Sequence, residues 1–145
     1  MPEVRIVAVA ATSALMPAAY AVRHQVFVVE QAVPPELERD AFDDLAVHLV
    51  ALRGDAVIGT LRIVIGGGAA KIGRMAVLAA HRKAGIGSRL MQRAADVART
   101  AGATDITLHA QLTAKAFYAR LGYREEGEVF EEAGIAHVGM RKPIG

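Results

Sequence analysis

The alternation of apolar and polar positions divides much of the chain into extended segments. Residues 4–9 read Val-Arg-Ile-Val-Ala-Val, a period of two that is typical of a strand with one buried face. Two apolar runs, 46–53 and 56–65, flank the pair Gly54-Asp55, which favours a hairpin turn. The complete pattern predicts strands at 4–9, 46–53, 56–65, 71–77, 105–110, 123–129 and 137–142.

Helical spacing occupies most of the remaining chain. From Ile86 to Ala101 apolar side chains recur every three or four residues, and Gly102 follows in the position of a C-cap. The same spacing predicts helices at 14–29 and 113–121, and Val33-Pro34-Pro35 ends the first of them in an acidic loop. With mixed antiparallel and parallel strands around a central strand–loop–helix–strand unit, the order predicts one α+β domain over residues 1–145.

The composition narrows the chemistry. The 145 residues include no cysteine, which excludes a disulfide scaffold, a thiolate metal site and a cysteine nucleophile, and makes the cytoplasm the default compartment. Neither serine, Ser13 or Ser88, lies in a Gly-x-Ser-x-Gly elbow. No two of the five histidines have the spacing of a helical metal pair, so no metal is expected. The longest uncharged run, 6–22, is too short and interrupted to cross a membrane.

The charges are unevenly placed although the net charge is only +2. Basic residues dominate 71–99, whereas the carboxylates concentrate in two acidic segments, 30–44 and 125–132. A polyanionic ligand would favour the basic stretch and a cationic ligand the acidic segments. No aromatic residue interleaves the basic stretch for base stacking, so no nucleic-acid partner is expected.

The segment 82–88, Arg-Lys-Ala-Gly-Ile-Gly-Ser, lies between a predicted strand and a predicted helix. Glycines at 85 and 87 let the backbone approach a ligand closely, and the first turn of the helix adds free N–H groups and the positive end of its dipole. A P-loop would require a lysine after Gly87, and a dinucleotide fingerprint would require a small residue where Leu90 stands. The remaining possibility is a phosphate site of the form Arg-x-x-Gly-x-Gly.

A second motif, Phe117-Tyr118-Ala119-Arg120-Leu121-Gly122-Tyr123, follows about 30 residues downstream and again comes after a strand. Together the two motifs resemble the pyrophosphate loop and the Phe-Tyr-x-x-x-Gly-Phe/Tyr element of the GNAT-type N-acetyltransferases, which bind acetyl-coenzyme A. Arg23-x-x-Val26-Phe27-x-x-Glu30-Gln31 and Ala133-Gly134-Ile135-Ala136-His137 further resemble a small bacterial branch of that family. The resemblance implies a mixed, mostly antiparallel sheet of about seven strands flanked by helices.

The resemblance also implies roles for particular residues. The backbone N–H of Val77 would polarise the thioester carbonyl, and Tyr118 would act as the general acid that protonates the departing coenzyme A thiolate. Gln111 stands where the family often has an asparagine. Gly73 stands where many relatives carry a glutamate that acts as the general base. The residues implied to contact acetyl-CoA are Met75, Ala76, Val77, Arg82, Lys83, Ala84, Gly85, Ile86, Gly87, Ser88, Gln111, Phe117 and Tyr118.

The general base is left open by the motifs, because the family's glutamate is absent. The candidates are Glu30, His48, His109 and His137, since imidazole suits proton transfer near neutral pH and Glu30 opens the first acidic segment. His48 and His137 lie in predicted strands that are expected to face the acceptor side. Glu30 and His48 are ranked first.

The sequence therefore predicts an acetyl-CoA-dependent N-acetyltransferase that uses direct attack by an amine in a ternary complex. The acidic segments favour a cationic amine, and the apolar composition is compatible with a homodimer. The alternatives are an acyltransferase with another acyl donor or an O-acceptor, and a coenzyme A-binding sensory domain without catalysis. The absent glutamate at Gly73 favours the sensory domain, whereas Tyr118 argues against it.

Overall fold

A computed structural model describes residues 3–145, which fold around one seven-stranded sheet. The strands follow in the spatial order β1-β2-β3-β4-β5-β7-β6, and every neighbouring pair is antiparallel except β4 and β5. The predicted mixed, mostly antiparallel sheet is thereby confirmed. The strands are β1 Val4–Ala10, β2 Val47–Arg53, β3 Ala56–Gly66, β4 Ala69–Val77, β5 Asp105–Gln111, β6 Arg124–Glu132 and β7 Ile135–Pro143.

Four α-helices flank the sheet: α1 Met16–Arg23, α2 Pro35–Glu38, α3 Ile86–Thr100 and α4 Lys115–Arg120. The first predicted helix begins two residues later than expected and changes at His24 to a π-helical segment that ends at Glu30. The segment predicted as an acidic loop contains α2 and a short 3₁₀ turn, Ala41–Asp44. No helix within residues 3–145 has the length and apolar character that a membrane crossing requires.

Helix α3 supplies one layer of the main core. It buries Leu90, Met91 and Ala94 against the sheet, as the apolar spacing predicts. The helix ends one residue earlier than predicted, so that Ala98 is buried at the last turn and Ala101 is exposed. Gly102 follows with a φ of +86° and donates its N–H to the carbonyl of Arg99, which satisfies the end of the helix.

The parallel pair β4 and β5 creates the opening of the site. The two strands are paired only from Ala69–Asp105 to Ile72–Leu108, although both continue beyond that point. Their later residues therefore diverge and leave a cleft in the middle of the sheet. Helix α3 connects the two strands, so its first turn lies at the same edge of the sheet as the cleft.

A buried network of ion pairs fixes the first acidic segment to the sheet. Arg23, which is 1% exposed, donates to Asp43 at 2.6 Å and to Glu38 at 2.9 Å. Arg62 of β3 donates to Asp40 at 2.6 Å and to Asp43 at 3.1 Å. Burial alone would raise the pKa of the Asp43 carboxyl, but the hydrogen bonds from Arg23, from the Asp40 N–H and from Arg62 outweigh it and hold that pKa well below its usual value.

We expect the free energy of unfolding to fall by about 2 kcal/mol as the pH is lowered through the acidic range. The pKa of Asp43 is lower in the folded than in the unfolded chain, so its contribution is complete above the unfolded value of 3.8 and is lost as the pH falls toward the folded value. Urea unfolding followed by circular dichroism from about pH 6 to about pH 2 measures the effect. The variant Asp43→Asn should lose most of this pH dependence; an unchanged pH dependence would contradict the assignment.

Candidate active site

A cavity of about 980 Å³ occupies the cleft between the diverging ends of β4 and β5. It extends from the first turn of α3, past α4, to the first acidic segment. All residues that the sequence implied for the coenzyme line this cavity except Ala84, which is exposed in the loop before α3. The two sequence motifs, although separated along the chain, thus meet at one cavity.

The wall formed by β4 contains a bulge. Thr60 pairs with Ala76 and Arg62 with Gly73, so two residues of β4 oppose Leu61 alone. Arg74 lies in this bulge with a φ of +54°, a conformation that costs a non-glycine residue about 1 kcal/mol or more. Its guanidinium donates to the Glu38 carbonyl at 2.9 Å, which ties the bulge to the first acidic segment.

The bulge is followed by Val77, whose peptide group faces the cleft. Leu78 donates its N–H to the Ile58 carbonyl of β3 at 2.9 Å. Because successive N–H groups of a strand point to opposite edges, the Val77 N–H points away from β3 and toward the cleft. The Val77 carbonyl faces the same edge, where it accepts a hydrogen bond from Arg82 Nε at 2.8 Å. A carbonyl oxygen placed in the cleft would meet this N–H.

The first turn of α3 presents backbone N–H groups at the other end of the cavity. Arg89 makes the first helical hydrogen bond, to the Gly85 carbonyl at 3.1 Å, so the N–H groups before it have no partner within the helix. Gly85 precedes the helix with a φ of +77°, which favours glycine. A Cβ at Gly87 would lie 3.4 Å from the Phe117 ring, so the missing side chain leaves space between this turn and α4. Free N–H groups at the first turn of a helix are a general feature of anion sites in proteins.

Arg82 and Glu30 form a bidentate ion pair beside this turn. Both guanidinium nitrogens lie 2.9 Å from the two carboxylate oxygens, and both side chains are partly exposed. Glu30 itself does not line the cavity. Its carboxylate thus lies with Arg82 beside the α3 turn and outside the cavity lining.

Tyr118 of α4 reaches the middle of the cavity and is 9% exposed. Its ring packs edge-on against Phe117 at 5.1 Å and against Tyr123 at 6.1 Å. Burial raises the pKa of the Tyr118 phenol to about 12, so the hydroxyl keeps its proton at neutral pH. A protonated phenol in a half-enclosed apolar cleft is suited to donate a proton or hydrogen bond.

Gln111, at the end of β5, crosses the cavity. Its amide Nε2 donates to the Gln31 side-chain oxygen at 2.8 Å, which links β5 to the end of the π-helical segment. Both residues line the cavity. The polar group that faces the cleft from β5 is thereby held in place by a partner 80 positions away along the chain.

Three ionisable residues from β5, β6 and β7 line the far end of the cavity. His109 Nδ1 lies 2.9 Å from Glu132 Oε1, and His137 Nε2 lies 3.8 Å from Glu132 Oε2. Burial alone would raise the pKa of Glu132, but the hydrogen bond from His109 and the charges of both histidines and Lys71 hold it below its usual value.

Metal ligation has no counterpart in this site. Within residues 3–145, no three histidine, aspartate or glutamate side chains are grouped so that they could hold a metal ion.

The sequence profile of the acetyltransferase (GNAT) domain family matches residues 10–144, nearly the whole chain. The chain belongs to the GNAT acetyltransferase family. GNAT proteins are acyltransferases. The family resemblance implies that coenzyme A would bind along the cleft, at the α3 turn and beside the Phe-Tyr motif.

Several relatives of this GNAT chain are bacterial. It is 39% identical to an uncharacterized N-acetyltransferase, YjcF of Bacillus subtilis strain 168, over 86% of this chain and 89% of that one. A crystal structure of an acyl-CoA N-acyltransferase from Pseudomonas aeruginosa matches with a TM-score of 0.87 and 33% identity, over 97% and 99% of the two chains. The crystal structure of Escherichia coli ElaA matches with a TM-score of 0.85 and 26% identity, over 97% and 99%.

The structure corrects the expectation that His48 faces the acceptor side of this GNAT site. His48 is 1% exposed in β2, does not line the cavity, and its Nε2 contacts the Asp43 carbonyl at 2.8 Å. Tyr20 packs edge-on against its ring at 6.2 Å. The residue is enclosed because the first acidic segment folds over it, which the alternation within β2 alone does not reveal.

The charge of the first acidic segment also differs from what the sequence suggested. Asp40, Asp43 and Glu38 belong to the first acidic segment, but arginines from three elements already neutralise them. Gly73 leaves the family's glutamate position without a side chain, and a Cβ there would lie 3.8 Å from Arg62 Nε. These three carboxylates thus do not form a free acidic surface for a cationic acceptor.

No sequence signal singled out Arg62, Arg74 or Glu132, because each acts through a partner distant along the chain.

Proposed function

We propose that this chain transfers the acetyl group of acetyl-CoA to a primary amine by direct attack in a ternary complex, as one acetyltransferase domain. The observation that carries the proposal is the meeting of three donor groups on one cavity. These are the N–H groups of the α3 turn, the cleft-facing N–H of Val77 and the protonated phenol of Tyr118.

Each donor group supports one part of the coenzyme's chemistry. The α3 turn, with Arg82 and Lys83 beside it, would bind the pyrophosphate. The pantetheine arm would then follow the cleft past Gln111, and the thioester carbonyl would meet the Val77 N–H. A hydrogen-bond donor aimed at the oxyanion stabilises the tetrahedral intermediate, and losing one such donor typically costs about a hundredfold to a thousandfold in kcat.

The remaining steps follow from the balance of protons. The amine nitrogen forms a bond to the thioester carbon, the carbon–sulfur bond breaks, and Tyr118 gives its proton to the departing sulfur. The ammonium form of the acceptor loses two protons during the reaction. One is removed before the attack and is released to solvent, and the other restores the proton that Tyr118 gave to the sulfur. Because the chain contains no cysteine, a thioester intermediate on the enzyme is excluded.

Calorimetric titration tests the donor half of this proposal. We expect acetyl-CoA, coenzyme A and dephospho-coenzyme A to bind with dissociation constants in the micromolar range, because all three carry the pyrophosphate. Pantetheine lacks it and should bind about a hundredfold more weakly or less. Equal binding of pantetheine and coenzyme A would contradict the placement of the pyrophosphate at α3, and no binding of any of them would contradict the function itself.

A further inference from the structure

The histidine at the far end of the cavity has a defined proton arrangement. His137 Nδ1 lies 2.7 Å from the carbonyl oxygen of Ile135. A carbonyl oxygen only accepts hydrogen bonds, so Nδ1 must carry a hydrogen. In the neutral ring the other nitrogen, Nε2, then has no hydrogen and presents a lone pair. His137 is 6% exposed, and it lines the cavity.

The carboxylate of Glu132 lies near the other nitrogen of the His137 ring. Glu132 Oε2 lies 3.8 Å from His137 Nε2, too far for a hydrogen bond to form. Two groups that both lack a hydrogen face each other across this gap. When Nε2 takes up a proton, the imidazolium and the Glu132 carboxylate face each other across this gap with opposite charges. His109 Nδ1 holds the other oxygen of Glu132 at 2.9 Å and thereby fixes its orientation.

We propose that His137 is the general base that removes a proton from the acceptor ammonium, with Ile135 and Glu132 as its positioning residues. The inference rests on the proposed function and deepens it, because it supplies the base that the absent glutamate at Gly73 leaves unassigned. Nε2 accepts one proton from the ammonium, and the neutral amine then attacks the thioester. After the product leaves, the imidazolium returns this proton to solvent.

The neighbours of His137 define its electrostatic environment. Among the described residues, β6 contributes Glu132, β5 contributes His109, and Lys71 of β4 acts on Glu132 through its charge. The short 3₁₀ turn Leu112–Ala114, which also packs against β7, contains no ionisable side chain. Phe130 stacks on the His137 ring with centroids 6.0 Å apart and holds its plane. Within residues 3–145, Glu132 is thus the carboxylate in direct reach of Nε2.

The test is a pH profile of kcat/KM for the variant His137→Asn. Asparagine retains an N–H where Nδ1 donates to Ile135, but it removes Nε2. With acetyl-CoA and the best acceptor among phenethylamine, putrescine and 4-aminobutyrate, we expect a loss of about tenfold to a hundredfold near pH 7. Near pH 10 the loss should nearly vanish, because an alkylamine with a pKa of about 10.4 is then partly neutral without help. Glu132→Gln should show a smaller loss with the same pH dependence.

Controls separate this proposal from the function on which it rests. His24→Asn, the same substitution at an exposed histidine outside the cavity, should leave the profile unchanged. Acetyl-CoA binding to His137→Asn should match the wild type by calorimetry. A wild-type profile in an active His137→Asn would overturn the role of His137. Failure of the proposed function is visible earlier, as a wild-type chain that does not bind acetyl-CoA.

Nitrogen NMR of the histidine rings tests the base without any acceptor. In the ¹⁵N-labelled chain, the signals that disappear in His137→Asn belong to His137. We expect them to show hydrogen on Nδ1 and none on Nε2 in the neutral ring. Hydrogen on Nε2 instead would overturn the proposal, whichever amine the enzyme uses.

Discussion

Replacement of Tyr118 by phenylalanine is expected to lower kcat for acetyl transfer by about a hundredfold to a thousandfold, while the dissociation constant of coenzyme A changes by about twofold or less. The substitution removes one oxygen from a ring that is otherwise held by its packing. Tyr118 lines the cavity, and in the proposed function its hydroxyl lies beside the coenzyme sulfur. The ring contacts with Phe117 and Tyr123 remain.

The size of this effect follows from the state of the phenol. With its pKa raised to about 12 by burial, Tyr118 is protonated at every pH at which the enzyme would work. The same apolar surroundings disfavour a free thiolate, so the departing sulfur gains most from a donor at this point. Phenylalanine leaves the sulfur without that donor. In the proposed function coenzyme affinity comes mainly from the α3 turn, so we expect it to be retained.

Tyr123→Phe is the matched control. Burial raises the pKa of Tyr123 to about 12 as well, and its ring lies beside Tyr118, but it does not line the cavity. Its removal should leave kcat within about twofold of the wild type. Steady-state kinetics with the acceptor used for the wild type measure both variants. A Tyr118→Phe enzyme with wild-type kcat would show that the thiolate leaves without a proton donor.

The parts of the fold that local pattern determines were predictable. The first strand alternates with a period of two, β2 and β3 are apolar runs around a Gly-Asp turn, and α3 has the three-to-four spacing of a buried helix face. These predictions agree with the structure within a few residues. The turn before α3 was identifiable from its glycines, because Gly85 has a φ of +77° that other residues rarely adopt. These properties depend on the residues themselves and their immediate neighbours.

The features that were not predictable depend on pairs distant along the chain. The bulge at Arg74 arises from the register between β3 and β4, and the residue with the positive φ is not a glycine that would indicate it. The bidentate pair of Glu30 with Arg82 joins residues 52 positions apart. His48 was a candidate base because the alternation within a strand leaves open which of its two faces is exposed. In the structure the first acidic segment covers the face that carries His48.

The charge pattern shows the same limit. An acidic run in a sequence predicts a negative surface only if no cation folds onto it. Here Arg23, Arg62 and Arg74 come from three separate elements and form ion pairs with the carboxylates of this segment, which hold it against the sheet. His109, His137 and Glu132 also line the cavity, so in the proposed function they, rather than the first acidic segment, would meet the amine.

Substitution of Gly87 by valine is expected to weaken coenzyme A binding by about a hundredfold, the largest effect on affinity that a single change in the α3 turn should produce. Gly87 is the second residue of α3, and a Cβ there would lie 3.4 Å from Phe117 and 3.8 Å from Met75, which are ordinary contact distances. The Cβ of the new valine side chain would therefore make ordinary contacts with the fold. Its methyl groups would occupy the space through which phosphate oxygens approach the N–H groups of the turn.

Gly66→Val provides the matched control for this loss of affinity. Gly66 ends β3 and lies outside the cavity, and a Cβ added there would meet no heavy atom within 4 Å, so the same change should leave coenzyme binding unaltered. Thermal unfolding should show both variants folded, because valine is favoured over glycine in a helix, as at Gly87, and in a strand, as at Gly66. Calorimetry with coenzyme A then compares the two. Wild-type affinity in Gly87→Val would mean that the pyrophosphate binds elsewhere and that the first turn of α3 only opens the helix, whereas a graded loss from Gly87→Ala to Gly87→Val would place the phosphate oxygens against this residue.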